Sequence, residues 1–576
     1  MPPKLNIMRK LLLQAVYKPA YTLLFVVTAL CGLSACASSS NSGHAGDKNS
    51  RLNSATPNRD LGAITSPVAP KDPGSRLPAD WYKGAFIEIF VRGFKDSDGD
   101  GIGDLRGVTQ SLDYLQDLGV KGIWLMPVTR SLDRDHGYAV TDYRNIETDY
   151  GNLADFDELL EQAHARGIGI IMDYVINHSA STHPLFVNSA ASRSSAYRHW
   201  YLWEDTAPKG WDIYGKDPWH SASTGAYFAA FDTSMPDFNL RAPDVLAFHH
   251  DNMRFWLNRG IDGFRFDAVG HLVENGPKAW DNQKENYIIM NQVRALLASY
   301  ERRYMVCESP SDAAGFAASN ACGSGFAFGH HENVVKAARG DTAAIQAVSD
   351  YFKTARPDMA TSDRVTSNMA TMVSNHDQFA GDRLWDQVKG NVAQYRLAAA
   401  TYLLQPGTPF IYYGEEIGMA NATNLEGDPK LRTPMSWRAD ANNAGFTTGK
   451  PFRALSDNQA TQNVASQQND PDSILAFYKA MLKLRNTLPS VSRGNYESPF
   501  VTGNVLGFQR CFGAEQTLVL INYGTASASV AVRMLSGNNP MKKVFPNDGG
   551  KLSFSVAGEA EVSIAAQSVL VFSTAR

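Results

Sequence analysis

From Trp81 onward, short unbroken apolar runs alternate with longer stretches in which apolar side chains return every three or four positions. GAFIEIFVRGF, VKGIWLMP and IGIIMDYVINH are runs of the first kind. Ile123, Trp124 and Leu125 are consecutive, as in a parallel strand buried on both faces. Between them, VTQSLDYLQDLG places Leu112, Leu115 and Leu118 on helical spacing, and ADFDELLEQAHARG continues the rhythm. IDGFRFDAV, RYMVCES, TMVSNHD and TPFIYYGEE are further strand candidates, following helix-like segments such as DVLAFHHDNMRFWLNRG and QVRALLASYERR. A sixth strand near 325–328 brings the count to eight. The pattern predicts a (β/α)8 TIM barrel, an α/β fold in which reactive groups gather at the carboxyl ends of the strands.

Two stretches break the rhythm. Residues 179–238, rich in Trp, Tyr, Gly and Asp (YRHWYLWED, GWDIYGKDPWH), are too long for a βα loop. They are expected to form a small domain inserted after strand 3. After Leu488 the pattern becomes short β-branched segments, TLVLINY, SVAVRM, KLSFSV, AEVSIAA and SVLVFST, which predict a C-terminal antiparallel β-sandwich over 489–576. The barrel then occupies 79–178 and 239–488. Ahead of it, Lys4, Arg9, Lys10 and Lys18 precede an apolar stretch ending Leu33-Ser34-Ala35-Cys36, which reads as an export signal over 1–36. Its last four residues resemble a bacterial lipobox. A lipid on Cys36, with a flexible tether over 37–78, would make the protein an exported, membrane-anchored lipoprotein.

The 576 residues carry a formal charge of −4 without long runs of one sign, which argues against a nucleic-acid partner and for a neutral substrate. We expect a monomer whose only membrane contact is the lipid. Export permits a disulfide between Cys307 and Cys322, or three free thiols including Cys511.

Candidate chemistry sits at the strand ends. Asp173, Asp267, Glu308 and Asp377 each close an apolar run. Paired carboxylates are what glycosidic cleavage uses, one attacking or stabilising the anomeric carbon and one donating a proton. Arg265 and Asp267, two apart on a strand, face the same side, where the cation favours an ionised Asp267. The apolar run before Glu308 would raise its pKa toward that of a general acid. Separately, DSDGDGIGD places Asp96, Asp98, Asp100, the carbonyl of Ile102 and Asp104 at EF-hand positions 1, 3, 5, 7 and 9. Position 12 is Gly107 rather than Glu, so this is a partial motif, read as a structural Ca2+ site.

DYVINH, GFRFDAVGH, VCES and VSNHD, in that order, resemble the four short conserved regions of the α-amylase family of retaining glycoside hydrolases (family 13). GIWLMP, HGYAVTDY, MPDFN and GTPFIYYGEEIGM are similar to further segments of that family, so the likeness runs from about residue 79 to the C-terminus. The resemblance implies that Asp267 is the nucleophile, Glu308 the acid and then base, and Asp377 the residue that holds the sugar in the −1 subsite. It makes Arg265 the orienter of Asp267, His178 and His376 binders of sugar hydroxyls, Tyr138 a stacking platform, and His271 a residue of the +1 and +2 side. It also supports calcium in the acidic loop. Ala139, Cys307 and Phe238 depart from the usual residues and bear on subsite shape. MPDFN leans toward an α-amylase acting on α-1,4 bonds of starch, α-glucans or maltooligosaccharides, with transglycosylation as a side activity. LRTPMSW with GFTTGKPF instead resembles a segment common in α-glucosidases and trehalose synthases, in which an Asp three residues before the stacking tyrosine pairs with the Arg of that segment and closes the −1 subsite. Here those are Asp135 and Arg432: paired, they make an exo-acting pocket; apart, an open cleft.

Overall fold

Eight strands, β1 (Phe86–Ile89), β2 (Gly122–Leu125), β3 (Gly169–Tyr174), β4 (Gly263–Phe266), β5 (Tyr304–Cys307), β6 (Gly325–Phe326), β7 (Met369–Thr371) and β8 (Thr408–Tyr412), close into a parallel barrel in sequence order. β1 seals it, pairing with β2 through Phe86↔Gly122 and with β8 through Phe86↔Phe410. The computed structural model describes residues 60–354, 368–534, 540–555 and 558–575; the expected signal, Cys36 and most of the tether lie outside them. Helices Leu112–Leu118, Leu153–Ala165, Pro243–Arg259, Lys284–Ala298 and Val392–Leu404 are among those covering the barrel. Leu112, Leu115 and Leu118 are all buried, as their spacing predicts. Asn152 and Asp155 cap Leu153–Ala165 reciprocally, and Gly260 ends Pro243–Arg259 in the left-handed conformation.

Alternation along each strand sorts the side chains into two cores. Ile87, Ile123, Ile170, Phe264 and Met305 belong to the layer shared with the helices. Phe86, Trp124, Ile171, Val306, Phe326 and Phe410 fill the barrel interior. Continuing the inward set by two residues toward the carboxyl ends reaches Glu88 after Phe86, Asp173 after Ile171, and Glu308 after Val306. The apolar plug therefore ends where a charged layer begins. At the start of β4, Gly263 takes φ 151° with a neighbouring carbonyl so close that a Cβ would lie 1.7 Å from the Tyr304 oxygen, so only glycine lets β4 and β5 approach there.

The inserted segment carries a helix, Pro184–Ala191, and a three-stranded antiparallel sheet of Trp203–Glu204, Gly225–Phe228 and Trp219–Ala222. A bridge between His178 and Asp237 ties its two ends together. The C-terminal domain has a six-stranded antiparallel sheet and a two-stranded one, sharing a core that includes Leu518, Leu520, Val530 and Val562. Two strand expectations shift: β1 stops at Ile89 and the chain turns helical over Val91–Phe94, and β6 ends at Phe326.

Candidate active site

Arg265 stands at the centre of the carboxyl-end rim. Its Nη1 donates to Asp173 at 2.9 and 3.0 Å and to Asp267 at 2.7 Å, while its Nη2 lies 2.8 Å from Glu308. The guanidinium carbon sits 5.1 Å over the Trp124 ring, and the side chain is buried. One permanent cation thus serves three carboxylates, a task that suits the planar fork of arginine. Asp267 and Glu308 follow Phe266 and Cys307, which pair directly across β4 and β5. Immediately after Asp267, Ala268 takes φ 49° and turns its N–H onto Glu308 at 3.1 Å. A positive φ at a residue with a Cβ is uncommon and costs energy, and here it aims a donor at the site.

Burial pushes Glu308 up to about 8; Arg265 opposes this, and the charges of Asp267 and Asp377 add to it. Burial likewise raises Asp173 to about 7 against the pull of Arg265. The neighbouring flank behaves oppositely. Burial would lower His376, but Asp377 and Glu88 win and hold it up at about 10, so its ring is an imidazolium. Burial would raise Asp377, but His376 and Arg432 keep it well below the usual carboxylate range. His376 Nδ1 bonds Glu88, and its Nε2 lies 3.0 Å from Asp377 and 2.7 Å from the Tyr138 hydroxyl, which in turn donates to Asp173 at 3.0 Å. The half-buried Tyr138 ring stacks on His376. His178 is buried and neutral, lowered to about 4 by burial. His271 is also buried, its Nε2 2.9 Å from the Tyr214 hydroxyl and its ring stacked on Trp280. Asp267, Glu308, Asp377, Arg265, His376 and Tyr138 therefore form one hydrogen-bonded constellation, with Asp173 and Glu88 as further members.

Of the two arrangements open to Asp135 and Arg432, the structure shows them apart. Arg432 Nη2 donates to Asp377 at 2.7 Å and to Asp428 at 3.0 Å, and its Nε to the His376 carbonyl. Asp135 instead accepts a two-oxygen contact from Arg453 Nη2 at 2.8 and 2.9 Å, and Arg453 Nη1 donates to the Arg432 carbonyl. The nearer carboxylates Asp377 and Asp428 claim Arg432, and a second arginine bridges to Asp135. Glu88 carried a sequence signal, as the one acid within the apolar run FIEIF; Arg453 carried none.

In the acidic loop, Asp96, Asp98 and Asp104 bring one carboxylate oxygen each within 4.8 Å of one another. Asp100 lies outside that group and accepts the Ile102 N–H at 2.8 Å. Asp96 accepts N–H bonds from Asp98, Gly99 and Gly101 and the Thr447 hydroxyl. Three hard oxygen donors with no cationic side chain among them fit a divalent cation such as Ca2+. Cys307 and Cys322 form a disulfide, leaving Cys511 as the free cysteine among the described residues.

Residues 88–494 match the family described as "Alpha amylase, catalytic domain". The chain is 35% identical over 428 residues to "Alpha-amylase 3" of Dictyoglomus thermophilum, covering 72% of this chain and 80% of that one. It is 30% identical over 516 residues to the oligo-1,6-glucosidase of Parageobacillus thermoglucosidasius, covering 77% and 90%. Among solved structures, the α-amylase from H. orenii superposes with a TM-score of 0.74 at 31% identity, covering 85% of this chain and 99% of that one. Barrel, rim and likeness agree: the chain belongs to the α-amylase family, and it is a glycoside hydrolase.

Proposed function

We propose that this enzyme hydrolyses α-1,4-glucosidic bonds in starch, maltodextrins or maltooligosaccharides with retention of configuration. The observation that carries the reading is the placement of Asp267 and Glu308 at the ends of paired strands, joined by one guanidinium. Neighbouring strands lie about 4.8 Å apart. Two carboxyls on adjacent strand ends that share one guanidinium are held close together, as retaining glycosidases require.

In the first step Asp267 attacks the anomeric carbon as Glu308 delivers its proton to the glycosidic oxygen. The carbon–oxygen bond breaks, the shortened chain leaves with that proton, and glucosyl stays on Asp267. Glu308, now a carboxylate, takes a proton from water; the hydroxide equivalent displaces Asp267 and the α-anomer is released. Asp377, ionised between His376 and Arg432, accepts hydrogen bonds from sugar hydroxyls, and His178 and Tyr138 shape the same subsite. Because Glu308 must hold a proton to act and is pushed up to about 8, activity should fall as pH rises through that value. A pH series of kcat/KM checks this, and an alkaline limb set near 5 would overturn the acid assignment.

A second reading, an exo-acting α-glucosidase or oligo-1,6-glucosidase, is supported by the likeness to relatives with those names; Asp135 and Arg432 do not pair directly, as an exo-acting pocket would have them, and it is Arg453 that bridges them beside Asp377. Maltoheptaoside blocked at its reducing end separates the two. Internal fragments at the earliest times support the amylase; glucose alone, released from the non-reducing end, supports the glucosidase.

Asp96, Asp98 and Asp104 would hold Ca2+, which screens the repulsion among them and takes no part in bond breaking. Chelation is expected to lower the melting temperature and leave kcat of the protein that stays folded within about twofold. A melting temperature insensitive to chelator, with no metal in the purified protein, would refute the site.

A further inference from the structure

Glu308 follows a strand whose two edges are held very unequally. On one side β5 runs in register with β4 from Tyr304↔Gly263 to Cys307↔Phe266. On the other, among the described residues, β5 and β6 register at one pair, Cys307↔Gly325, next to which the Cys307 N–H donates to the Ser324 carbonyl at 3.1 Å. β6 itself stops after Gly325–Phe326. A seam with so little ladder is where a strand end opens first.

A covalent bond crosses that seam at the carboxyl end. Cys307 closes β5 immediately before Glu308, Cys322 precedes β6, and the two residues, both buried, form a disulfide. Cys322 is itself well seated. Its N–H donates to the Phe316 carbonyl at 3.0 Å, and the Phe316 ring stacks on Tyr287 of the helix Lys284–Ala298 with centroids 4.3 Å apart. The Tyr287 hydroxyl donates to Asp312, which also caps the turn Ala313–Phe316 by accepting from the Gly315 N–H. Helix, loop and disulfide thus hold Cys307 from the β6 side. β4 holds the acid from the opposite side, where the Glu308 N–H donates to the Phe266 carbonyl at 3.0 Å and its own carbonyl accepts from Val269 at 3.2 Å. Cross-links stabilise most when they close long loops, and this one spans a sequence separation of only 15. Its place beside the acid is worth more than its entropy.

We propose that the Cys307–Cys322 disulfide is a positioning device for the catalytic acid: it locks the end of β5 to the chain entering β6 and so keeps the Glu308 carboxyl aligned with the glycosidic oxygen. This rests on the reading of Glu308 as the acid. A misplacement of about 1 Å at a reacting group costs on the order of 100-fold in rate. Opening the bond with dithiothreitol adds two electrons and two protons, giving two thiols while the reagent closes to its cyclic disulfide.

Leaving groups of different need read the alignment directly. Fluoride departs from α-glucosyl fluoride with little protonic help, whereas the sugar leaving maltotriose requires the Glu308 proton. Cys322→Ser, and wild-type enzyme reduced with dithiothreitol and shown by thiol titration to be open, should lose about 30-fold in kcat/KM on maltotriose and less than about threefold on α-glucosyl fluoride. Reoxidation of the reduced wild type should restore both values. The melting temperature of Cys322→Ser should fall by about 3 °C, leaving it folded at the assay temperature. Equal losses on the two substrates, or no loss on either, would overturn the positioning role alone. Glu308→Gln calibrates the comparison: an equal loss on both substrates in that variant would overturn the acid reading beneath it.

Discussion

An Asp267→Asn enzyme is expected to lose at least about 10⁴-fold in kcat on maltooligosaccharides while remaining folded. Asparagine keeps the shape and can still accept from Arg265, but it offers no anionic oxygen to the anomeric carbon. The substitution also removes one of the charges that keep the Glu308 proton in place, so the remaining alkaline limb should move to lower pH. Azide supplies a decisive signature. In Asp267→Ala, where truncation leaves room, the small anion can enter the vacated space and attack α-glucosyl fluoride from the same face, giving β-glucosyl azide. Recovery of the α-azide, or a variant retaining a tenth of wild-type activity, would remove Asp267 from the nucleophile role.

Arg265→Met should destabilise the fold by about 3–5 kcal/mol at pH 8, because Asp173, Asp267 and Glu308 lose the cation they share in a buried site. Arg265→Lys restores charge but not the fork, since one ammonium cannot reproduce two nitrogens aimed at separate carboxylates. It should recover part of the stability and little of the activity. The deficit of the Met variant has a defined pH sign. Asp173 and Glu308 hold protons more tightly folded than unfolded, so acidification from pH 8 toward 5 neutralises them in the native state and narrows the gap to wild type. Denaturant midpoints of both proteins across that range measure it; a gap that widens on acidification would refute the role of the shared cation.

The barrel was readable because its strands are short, apolar and regularly followed by helical periodicity, and because the acids at their ends interrupt runs that are otherwise without charge. Asp267 and Glu308 stood out as two of four such acids, and it was the resemblance to the α-amylase family, rather than the pattern, that gave each its role. Partnerships across the fold were not readable. Asp135 and Arg453 are 318 residues apart, and local periodicity carries no information on which of several arginines reaches a given carboxylate. Arg432 was visible as a candidate, yet competition from Asp377 and Asp428 decided its partner.

The acidic loop and the strap beside Asp377 touch the same length of chain. Asp96 receives the Thr447 hydroxyl and donates its N–H to the Phe446 carbonyl, Gly101 accepts from Phe452, and the next residue is the Arg453 that grips Asp135. An ion seated among Asp96, Asp98 and Asp104 would thereby brace the arm that carries Arg453 to Asp135 beside Asp377. On the glucosidase reading, a cation remote from the breaking bond would act as a ruler for chain length, and its removal would alter the spectrum of products before it altered turnover.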